Sequence, residues 1–367
     1  MIRHWSTPGF FRMPSISVSW SPNFRRKRRC SIAVLSMNSS KAAASISARS
    51  SSLRGSPLMY TAAMESSRCS DDSARGASAL SDSAFIRGAY RGFQEAVFTR
   101  APGFALLEIE PTTRCGARCA FCPRGALARP GGEMSRDGAR RIAAATAPSA
   151  PRAVLLSGFG EPLLHPDLPG IVRELRAPLS SLIGVVTNGE ELSEGLAGAL
   201  IDAGVDFFHV SVPAATAATA RAIAPGLDFA AVERNLANLL ARTAGHLPVA
   251  VNFVVTAANR AEKAAVERAW RSRGACAVYA GPVHNRGGFL APEAPAAAAR
   301  DDCWVYRHCL FAAWDGTVLA CCHDLAGLED YGNLARDSLA DVLARREARL
   351  RYTLAGIMCR RCDFYLA

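Results

Sequence analysis

Residues 104–280 alternate between short apolar runs and helical stretches, and this alternation constrains the fold more than any other feature of the chain. Strands are predicted over residues 105–110, 153–157, 182–187, 206–212, 248–256 and 276–280. Helices are predicted between them, for example over 136–146 and 229–243. Strands that alternate with helices form a parallel sheet with the helices outside it. Six units predict an α/β fold, a partial (β/α)6 TIM-like barrel.

Three cysteines follow the first predicted strand. Cys115, Cys119 and Cys122 have C-x3-C-x2-C spacing, and the carboxyl ends of barrel strands are where chemistry is usually placed. Three thiolates on one loop suit three corners of an iron–sulfur cubane and leave one iron open. The alternatives are a zinc site completed by a distant ligand, or three incidental core cysteines.

This loop and its place in the barrel resemble the radical S-adenosylmethionine (SAM) superfamily, over residues 104–290. The resemblance implies a catalytic [4Fe–4S] cluster on the three cysteines, with SAM bound at the open iron. One electron would then cleave SAM to a 5′-deoxyadenosyl radical, which abstracts hydrogen from a substrate. In such enzymes the cofactor supplies the difficult chemistry, and the protein positions and shields it.

Motifs at other strand ends extend the resemblance. The run Gly158-Phe-Gly160-Glu161-Pro162 resembles the family's Gly-Gly-Glu-Pro element. It implies that Glu161, with Gly160 and Pro162 beside it, holds the ammonium group of SAM, since a carboxylate suits a cationic amine. The alternative is a loop glycine pair and a surface glutamate.

Three further residues resemble SAM-binding positions. Asn188 and Ser211 end the third and fourth strands, where side chains reach the ribose or carboxylate of SAM, and Phe121 would lie near the adenine. Ser211 is instead a helix cap in the simpler alternative. The chain departs from the family where Ala224 replaces an arginine that often precedes Pro-Gly, and Arg221 is a candidate to replace that cation.

A second group of cysteines lies near the C-terminus. The spacing Cys303-x12-Gly316-x4-Cys321, followed by Cys359-x2-Cys362, resembles the SPASM/twitch extension of this superfamily. The resemblance implies a small C-terminal cap with a second [4Fe–4S] cluster on these four thiolates. Four thiolates also suit zinc, so a zinc ribbon is the alternative.

Other residues have lesser roles in these predictions. Cys321 and Cys322 are placed on one strand, so they should face opposite sides, with the spacing favouring Cys321 as the ligand. The spare ligands are Cys309, Cys322 and His323, and Cys276 is expected in the core. The residues placed to meet a substrate are His284, Arg286 and Asp324.

The net charge of +11 is concentrated in the N-terminal segment. Residues 1–64 contain ten Lys or Arg and no Asp or Glu, so the remainder is nearly neutral and no nucleic-acid partner is expected. Residues 1–85 show no sustained helix or strand period and are expected to be disordered or mis-annotated sequence. The predicted domains are therefore this tail, a radical SAM core over 100–290 and an auxiliary cluster domain over 300–367.

These features predict an enzyme of a reducing compartment. The twelve cysteines are mostly clustered, as in metal sites, and no apolar run approaches the roughly 18–20 residues of a membrane span, so a cytoplasmic location is expected. The expected partners are an electron donor such as flavodoxin or ferredoxin and, for the substrate, a peptide or protein. The alternative function is an iron–sulfur protein that transfers electrons or senses redox state without cleaving SAM.

Overall fold

The computed structural model describes residues 104–244, 246–290, 303–351, 359, 362 and 363. The predicted tail over 1–85 and the residues 291–300 lie outside these described residues. Within them, one nine-stranded sheet organises the molecule, in the order β6-β5-β4-β3-β2-β1-β7-β8-β9. The strands are β1 Leu106–Ile109, β2 Ala153–Leu156, β3 Leu182–Thr187, β4 Phe207–Ser211, β5 Val249–Val255, β6 Ala277–Pro282, β7 Cys309–Ala312, β8 Thr317–Leu319 and β9 Asp330–Asn333.

Strands β1 to β6 are all parallel, and helices connect them. The helices are α1 Arg136–Thr146, α2 Leu168–Arg176, α3 Glu194–Ala203, α4 Ala217–Ile223, α5 Phe229–Thr243, α6 Lys263–Ser272, α7 Trp304–His308 and α8 Leu339–Arg351. Short 3-10 turns occur at Pro123–Ala126, Ala147–Ser149, Pro162–Leu164 and Arg260–Glu262. The prediction of an α/β partial barrel is confirmed, and α1 and α5 have the predicted bounds.

Side-chain caps fix where the connecting helices begin. Five N-cap side chains accept hydrogen bonds from backbone N–H groups in the first turns of α1 to α5, namely Ser135, Asp167, Ser193, Thr216 and Asp228. Such caps satisfy donors that have no partner within the helix. Each of these five helices therefore begins at a defined residue, and the loops that follow β1 to β4 can carry functional groups.

Burial alternates along the strands, so the two faces of the sheet differ. Leu107, Val154, Val185, Phe208 and Val251 are fully buried, and strand residues of this set pack in the main hydrophobic core. Residues at alternating positions are only half-buried: Glu108, Leu155, Val186, His209 and Asn252. Successive strand residues point to opposite faces. One face thus packs on the helices, while the inner face of the partial barrel presents the polar Glu108, His209 and Asn252 beside the apolar Leu155 and Val186.

The C-terminal segment continues the sheet of the barrel. Strand β7 runs parallel to β1, with Leu106 opposite Cys309 and Ile109 opposite Ala312, and β8 and β9 follow in antiparallel order. Most of its buried side chains join the main hydrophobic core, while Phe311, Ala313 and Leu319 form a small cluster of their own. A hairpin joins β7 and β8, whereas α4, α7 and β9 were not predicted.

Within the described parts of the chain, no helix combines the length and the apolar character needed to cross a bilayer.

Candidate functional site

Backbone hydrogen bonds hold the three-cysteine loop at the carboxyl end of β1. The N–H of Arg118 donates to the carbonyl of Pro225 (2.9 Å), and the N–H of Ala120 donates to that of Ile223 (2.7 Å). Within the loop, the N–H of Cys122 donates to the carbonyl of Cys119 (3.0 Å). The supports at 223–225 come from the end of α4, a helix that sequence analysis missed because its Ala- and Thr-rich residues lack a clear apolar period.

The three thiols form a donor set that suits an iron–sulfur cluster. Cys115, Cys119 and Cys122 are all half-buried and lie close enough to influence one another electrostatically. Burial raises the pKa of Cys115, and burial together with the neighbouring Cys122 and Cys115 raises the pKa of Cys119 to about 12. Thiols of this kind ionise when they bind a metal centre.

The glycine-rich loop after β2 packs tightly against the cysteine loop. A Cβ atom on Gly160 would lie 1.9 Å from the carbonyl oxygen of Thr112, so only glycine allows this approach. The N–H of Glu161 also donates to the carbonyl of Arg114 (2.6 Å), the residue before Cys115. These contacts place Glu161 beside the first cysteine of the loop.

The carboxylate of Glu161 joins the ends of β2 and β3. Its Oε1 accepts hydrogen bonds from the hydroxyl of Thr187 (2.6 Å) and the N–H of Leu163 (3.1 Å), and its Oε2 accepts from the N–H of Asn188 (2.7 Å). The residue is only 4% exposed. Burial raises the pKa of Glu161 to about 7, against the opposing effect of these donors. The site therefore holds a carboxylate that a bound cation would stabilise in its charged form.

Of the other predicted SAM-binding residues, Asn188 contacts this carboxylate and Pro162 is its neighbour in the chain, while Phe121 and Ser211 lie on separate elements. Asn188 contacts Glu161 through its backbone, while its side-chain oxygen accepts from the N–H of Glu190 (3.0 Å). Pro162 is buried and begins a 3-10 turn, and Phe121 is half-buried in the cysteine loop. Ser211 is half-buried at the end of β4, one strand beyond Asn188.

A buried ion pair behind the loop was not predicted. Nη2 of Arg129 lies 2.7 Å from both carboxylate oxygens of Glu110, and Oε1 of Glu110 also accepts from the N–H of Phe159 (3.1 Å). The exposed fractions of the two side chains are 9% for Arg129 and 0% for Glu110. The pair thus ties the end of β1 to the segments that flank the cysteine loop and the glycine-rich loop.

The four predicted auxiliary ligands lie near one another. Burial raises the pKa of Cys321, and so do the nearby thiols of Cys303, Cys362 and Cys359. The pKa of Cys359 is raised to about 12 by burial and by Cys303, among other neighbours. The Sγ of Cys303 accepts from the N–H of Tyr306 (3.3 Å). Among the described residues, no three His, Cys, Asp or Glu side chains converge as tightly as the ligands of a single metal ion.

Cys322 faces a different part of the molecule from Cys321. Its thiol influences the pKa of the Glu108 carboxyl, which accepts a hydrogen bond from the hydroxyl of Ser157. The prediction that both cysteines belong to a strand is wrong, because β8 ends at Leu319 and they occupy the turn that follows. Glu108 and Cys322 thus connect the inner face of the barrel to the C-terminal segment.

His323 and Asp324 follow Cys322 in the chain. His323 is buried, with Nδ1 at 3.9 Å from the Sγ of Cys362. Asp324 was placed to meet a substrate, but its carboxylate is fully buried and accepts from the N–H groups of Leu328 (2.8 Å) and Glu329 (3.1 Å). It therefore stabilises its own loop.

The other residues singled out in the sequence lie elsewhere in the fold. Cys276 and Cys309 are buried in the core, and Arg221 is exposed on α4. His284 and Arg286 are half-buried in the loop after β6, and Arg286 is near enough to Glu108 to oppose the effect of burial on the pKa of that carboxyl. Arg286 therefore lies beside the inner face of the barrel, where Glu108 is placed.

Two protein-family models match the chain. The model of the radical SAM superfamily matches residues 109–255, and that of SPASM, an iron–sulfur cluster-binding domain, matches residues 303–363. The radical SAM match covers 147 of the 367 residues, and the SPASM match covers a further 61. The chain carries a radical SAM domain. It is an enzyme that works with SAM and a [4Fe–4S] cluster, and its SPASM domain implies a further iron–sulfur cluster, which favours iron over zinc there.

Curated relatives of this radical SAM enzyme match over part of their length. A probable GTP 3′,8-cyclase of Metallosphaera sedula is 38% identical over 112 residues, which are 30% of this chain and 34% of that protein. One of Archaeoglobus fulgidus is 33% identical over 149 residues, which are 41% and 48% of the two chains. The radical SAM enzyme therefore spans between a third and a half of the length of these relatives.

Solved structures share the fold of this radical SAM enzyme. Streptococcus suis SuiB bound to its precursor peptide SuiA superposes with a TM-score of 0.56 at 11% identity, covering 78% of this chain and 75% of that one. The enzyme anSMEcpe with bound AdoMet gives a TM-score of 0.53 at 15% identity, covering 66% and 82%. BtrN in complex with AdoMet and 2-DOIA gives 0.50 at 18% identity, covering 71% and 93%.

Proposed function

We propose that this enzyme reductively cleaves SAM at a [4Fe–4S] cluster held by Cys115, Cys119 and Cys122, and abstracts a hydrogen atom from its substrate. The cluster and SAM together supply the chemistry, a 5′-deoxyadenosyl radical. The chain would supply position: the thiolates of Cys115, Cys119 and Cys122 would hold the cluster at the end of β1.

The observation that carries this proposal is the buried Glu161 carboxylate beside the cysteine loop. Hydrogen bonds from Thr187, Leu163 and Asn188 orient it, and its own N–H is bound to the residue before Cys115. A buried carboxylate with a raised pKa is stabilised by a nearby cation, and SAM carries an ammonium group. A protein that only transfers electrons needs no such group next to its cluster.

Other residues complete the proposed SAM site. Gly160 allows the close approach of the two loops, and Pro162 begins the turn that orients Leu163. We assign Asn188 and Ser211 to the ribose or carboxylate of SAM and Phe121 to its adenine. The polar residues Glu108, His209 and Asn252 on the inner face are left to meet the substrate.

The proposed auxiliary cluster is a [4Fe–4S] cluster on Cys303, Cys321, Cys359 and Cys362. The mutual electrostatic influence of these four thiols supports it. The proposed external donor is a flavodoxin or ferredoxin, and the proposed setting is a reducing, cytoplasmic one. We also propose the division into a tail over 1–85, a core over 100–290 and an auxiliary domain over 300–367.

For the substrate we propose a peptide or protein. The fold shared with SuiB, solved with a precursor peptide, supports this class. GTP is the alternative substrate, because the curated relatives are named as probable GTP 3′,8-cyclases. These relatives match over only part of their length. Incubating the enzyme with GTP, SAM and reductant tests the rival: consumption of GTP coupled to SAM cleavage would contradict the peptide proposal.

The catalytic assignment is tested by SAM cleavage. Anaerobically reconstituted enzyme with a strong reductant should form 5′-deoxyadenosine, and replacing Cys115, Cys119 and Cys122 together with Ala should abolish it. Cys276→Ala, which changes a core cysteine outside both groups, is the matched control and should keep the activity. Wild-type rates in the triple variant would refute the assignment.

Iron counting tests the two clusters. Wild-type enzyme should hold about eight irons per chain, as two cubanes. The Cys115, Cys119 and Cys122 variant should keep about four, and replacing Cys359 and Cys362 should remove the other four. Stoichiometric zinc with only four irons would refute the auxiliary cluster while leaving the catalytic one in place.

A further inference from the structure

A buried cation lies next to the auxiliary cysteines. Arg346, on α8, is 4% exposed, and its guanidinium carbon lies 4.5 Å from the ring centre of Tyr306 and 5.8 Å from that of Tyr331. Its Nη2 donates to the carbonyl of Tyr306 and to that of Cys309 (3.1 Å). Its Nη1 is buried without a hydrogen-bond partner among the described residues.

This cation has no carboxylate partner within 4 Å in the described part of the chain. Besides burial, the ionisable groups with the largest effect on the pKa of Arg346 are Tyr306, Tyr331, Cys321 and Cys309. A buried charge without a counter-charge is costly, and an arginine does not lose its proton to relieve that cost. The arrangement is therefore electrostatically incomplete unless an anion lies nearby.

Two of the proposed cluster ligands, Cys303 and Cys321, lie near Arg346. The carbonyl of Tyr306 accepts from its guanidinium, while the N–H of the same residue donates to the Sγ of Cys303. From the other side, Cys321 is among the groups that interact electrostatically with it. One short helix, α7, thus joins the cation to a ligand through a single residue.

A [4Fe–4S] cluster with four thiolate ligands is a net anion, and reduction by one electron makes it more negative. Cluster potentials respond to local charge and to solvent exposure. We propose that Arg346 is the counter-charge of the auxiliary cluster and raises its reduction potential, so that the cluster accepts an electron more readily. On reduction, one electron passes from the external donor to the cluster; no bond forms or breaks, and no proton is transferred. The inference rests on the proposed cluster at Cys303, Cys321, Cys359 and Cys362.

The test is a redox titration followed by electron paramagnetic resonance. It uses the full-length chain with Cys115, Cys119 and Cys122 replaced by Ala, so that only the auxiliary cluster contributes. Arg346→Met removes the positive charge, so reduction of the cluster should become less favourable. The ratio of oxidised to reduced cluster at a fixed potential should rise at least tenfold, which corresponds to a fall of ~59 mV in the one-electron reduction potential. Arg346→Lys keeps the charge and should stay near the parent potential.

A matched control is available on the same helix. Arg345 is the preceding residue, but its side chain is 50% exposed and pairs with Asp337 at 3.0 Å. Because solvent screens an exposed charge, Arg345→Met should leave the potential unchanged. A shift in Arg345→Met as large as that in Arg346→Met would overturn the inference.

The remaining outcomes also decide the matter. An intact cluster whose potential does not move in Arg346→Met overturns this inference alone, as does an equal shift in Arg346→Lys. Loss of the cluster from both Arg346→Met and Arg346→Lys assigns Arg346 a structural role and also overturns the inference. Loss from Arg346→Met alone, with the parent potential kept in Arg346→Lys, supports it. Zinc in place of iron in the parent protein refutes the proposed cluster itself.

Discussion

Replacing Gly160 with Ala should separate the two loops of the catalytic site. The added methyl carbon would lie 1.9 Å from the backbone oxygen of Thr112, whereas real contacts of this kind do not fall below 3.0 Å. No side-chain rotation can relieve a clash with backbone, so the loops must move apart by more than about 1 Å. That movement also breaks the 2.6 Å hydrogen bond from Glu161 to Arg114.

The size of the effect follows from these two losses. Overpacking costs about 1–3 kcal/mol, and a lost hydrogen bond about 1 kcal/mol, which gives roughly 2–4 kcal/mol. At about 2–4 °C per kcal/mol for a domain of this size, the melting temperature should fall by about 4–16 °C. Because a displacement of ~1 Å at a reacting centre costs ~100-fold in rate, SAM cleavage should fall by about that factor.

The assay compares melting by circular dichroism and formation of 5′-deoxyadenosine in reconstituted enzyme. The control is Gly116→Ala in the cysteine loop, where an added Cβ would meet nothing within 4 Å. It should leave both quantities near those of the parent. If Gly160→Ala matched the control in melting temperature and cleavage rate, the close approach would have no role in positioning Glu161.

Two further predictions concern buried charges near the site. Burial raises the pKa of Glu161 to about 7, so its carboxyl is neutral at lower pH and cannot pair with an ammonium group. SAM affinity, measured by anaerobic calorimetry, should rise between about pH 6 and pH 8 and lose this slope in Glu161→Gln; an unchanged slope would refute the contact. Arg129→Met leaves the Glu110 carboxylate buried without its cation and should cost about 3–5 kcal/mol in denaturant unfolding. Arg141→Met breaks an exposed pair with Asp137 and should cost less than about 1 kcal/mol, and equal costs would contradict the role of burial.

The sequence predicted correctly the bounds of helices whose own residues show a clear apolar period. Helices α1 and α5 have apolar residues at helical spacing, and their predicted bounds agree with the structure. Helix α4 was missed because its run of Ala, Thr and Arg has no strong apolar stripe, although its end anchors the cysteine loop. The short strand β9 depends on pairing with β8, which no local pattern specifies.

The chemistry of the site was partly predictable for a similar reason. Cysteine spacing and the glycine-rich element lie in continuous sequence, so Cys115 and Glu161 could be named before their neighbours were known. The bonds from Thr187 and Asn188 to Glu161 depend on strand order. The Glu110–Arg129 pair and the position of Arg346 depend on packing between separate segments, which single-sequence patterns do not encode.

The parallel pairing of β7 with β1 changes what removal of the C-terminal segment would mean. Strand β1 now has a partner on each side, β2 and β7, and no unpaired edge. Without β7, the backbone N–H and C=O groups of Leu106–Ile109 would face solvent as a new sheet edge. Open edges recruit strands from other molecules, so a truncated enzyme would tend to aggregate through the strand that carries its catalytic loop. The C-terminal segment thus protects the barrel from self-association.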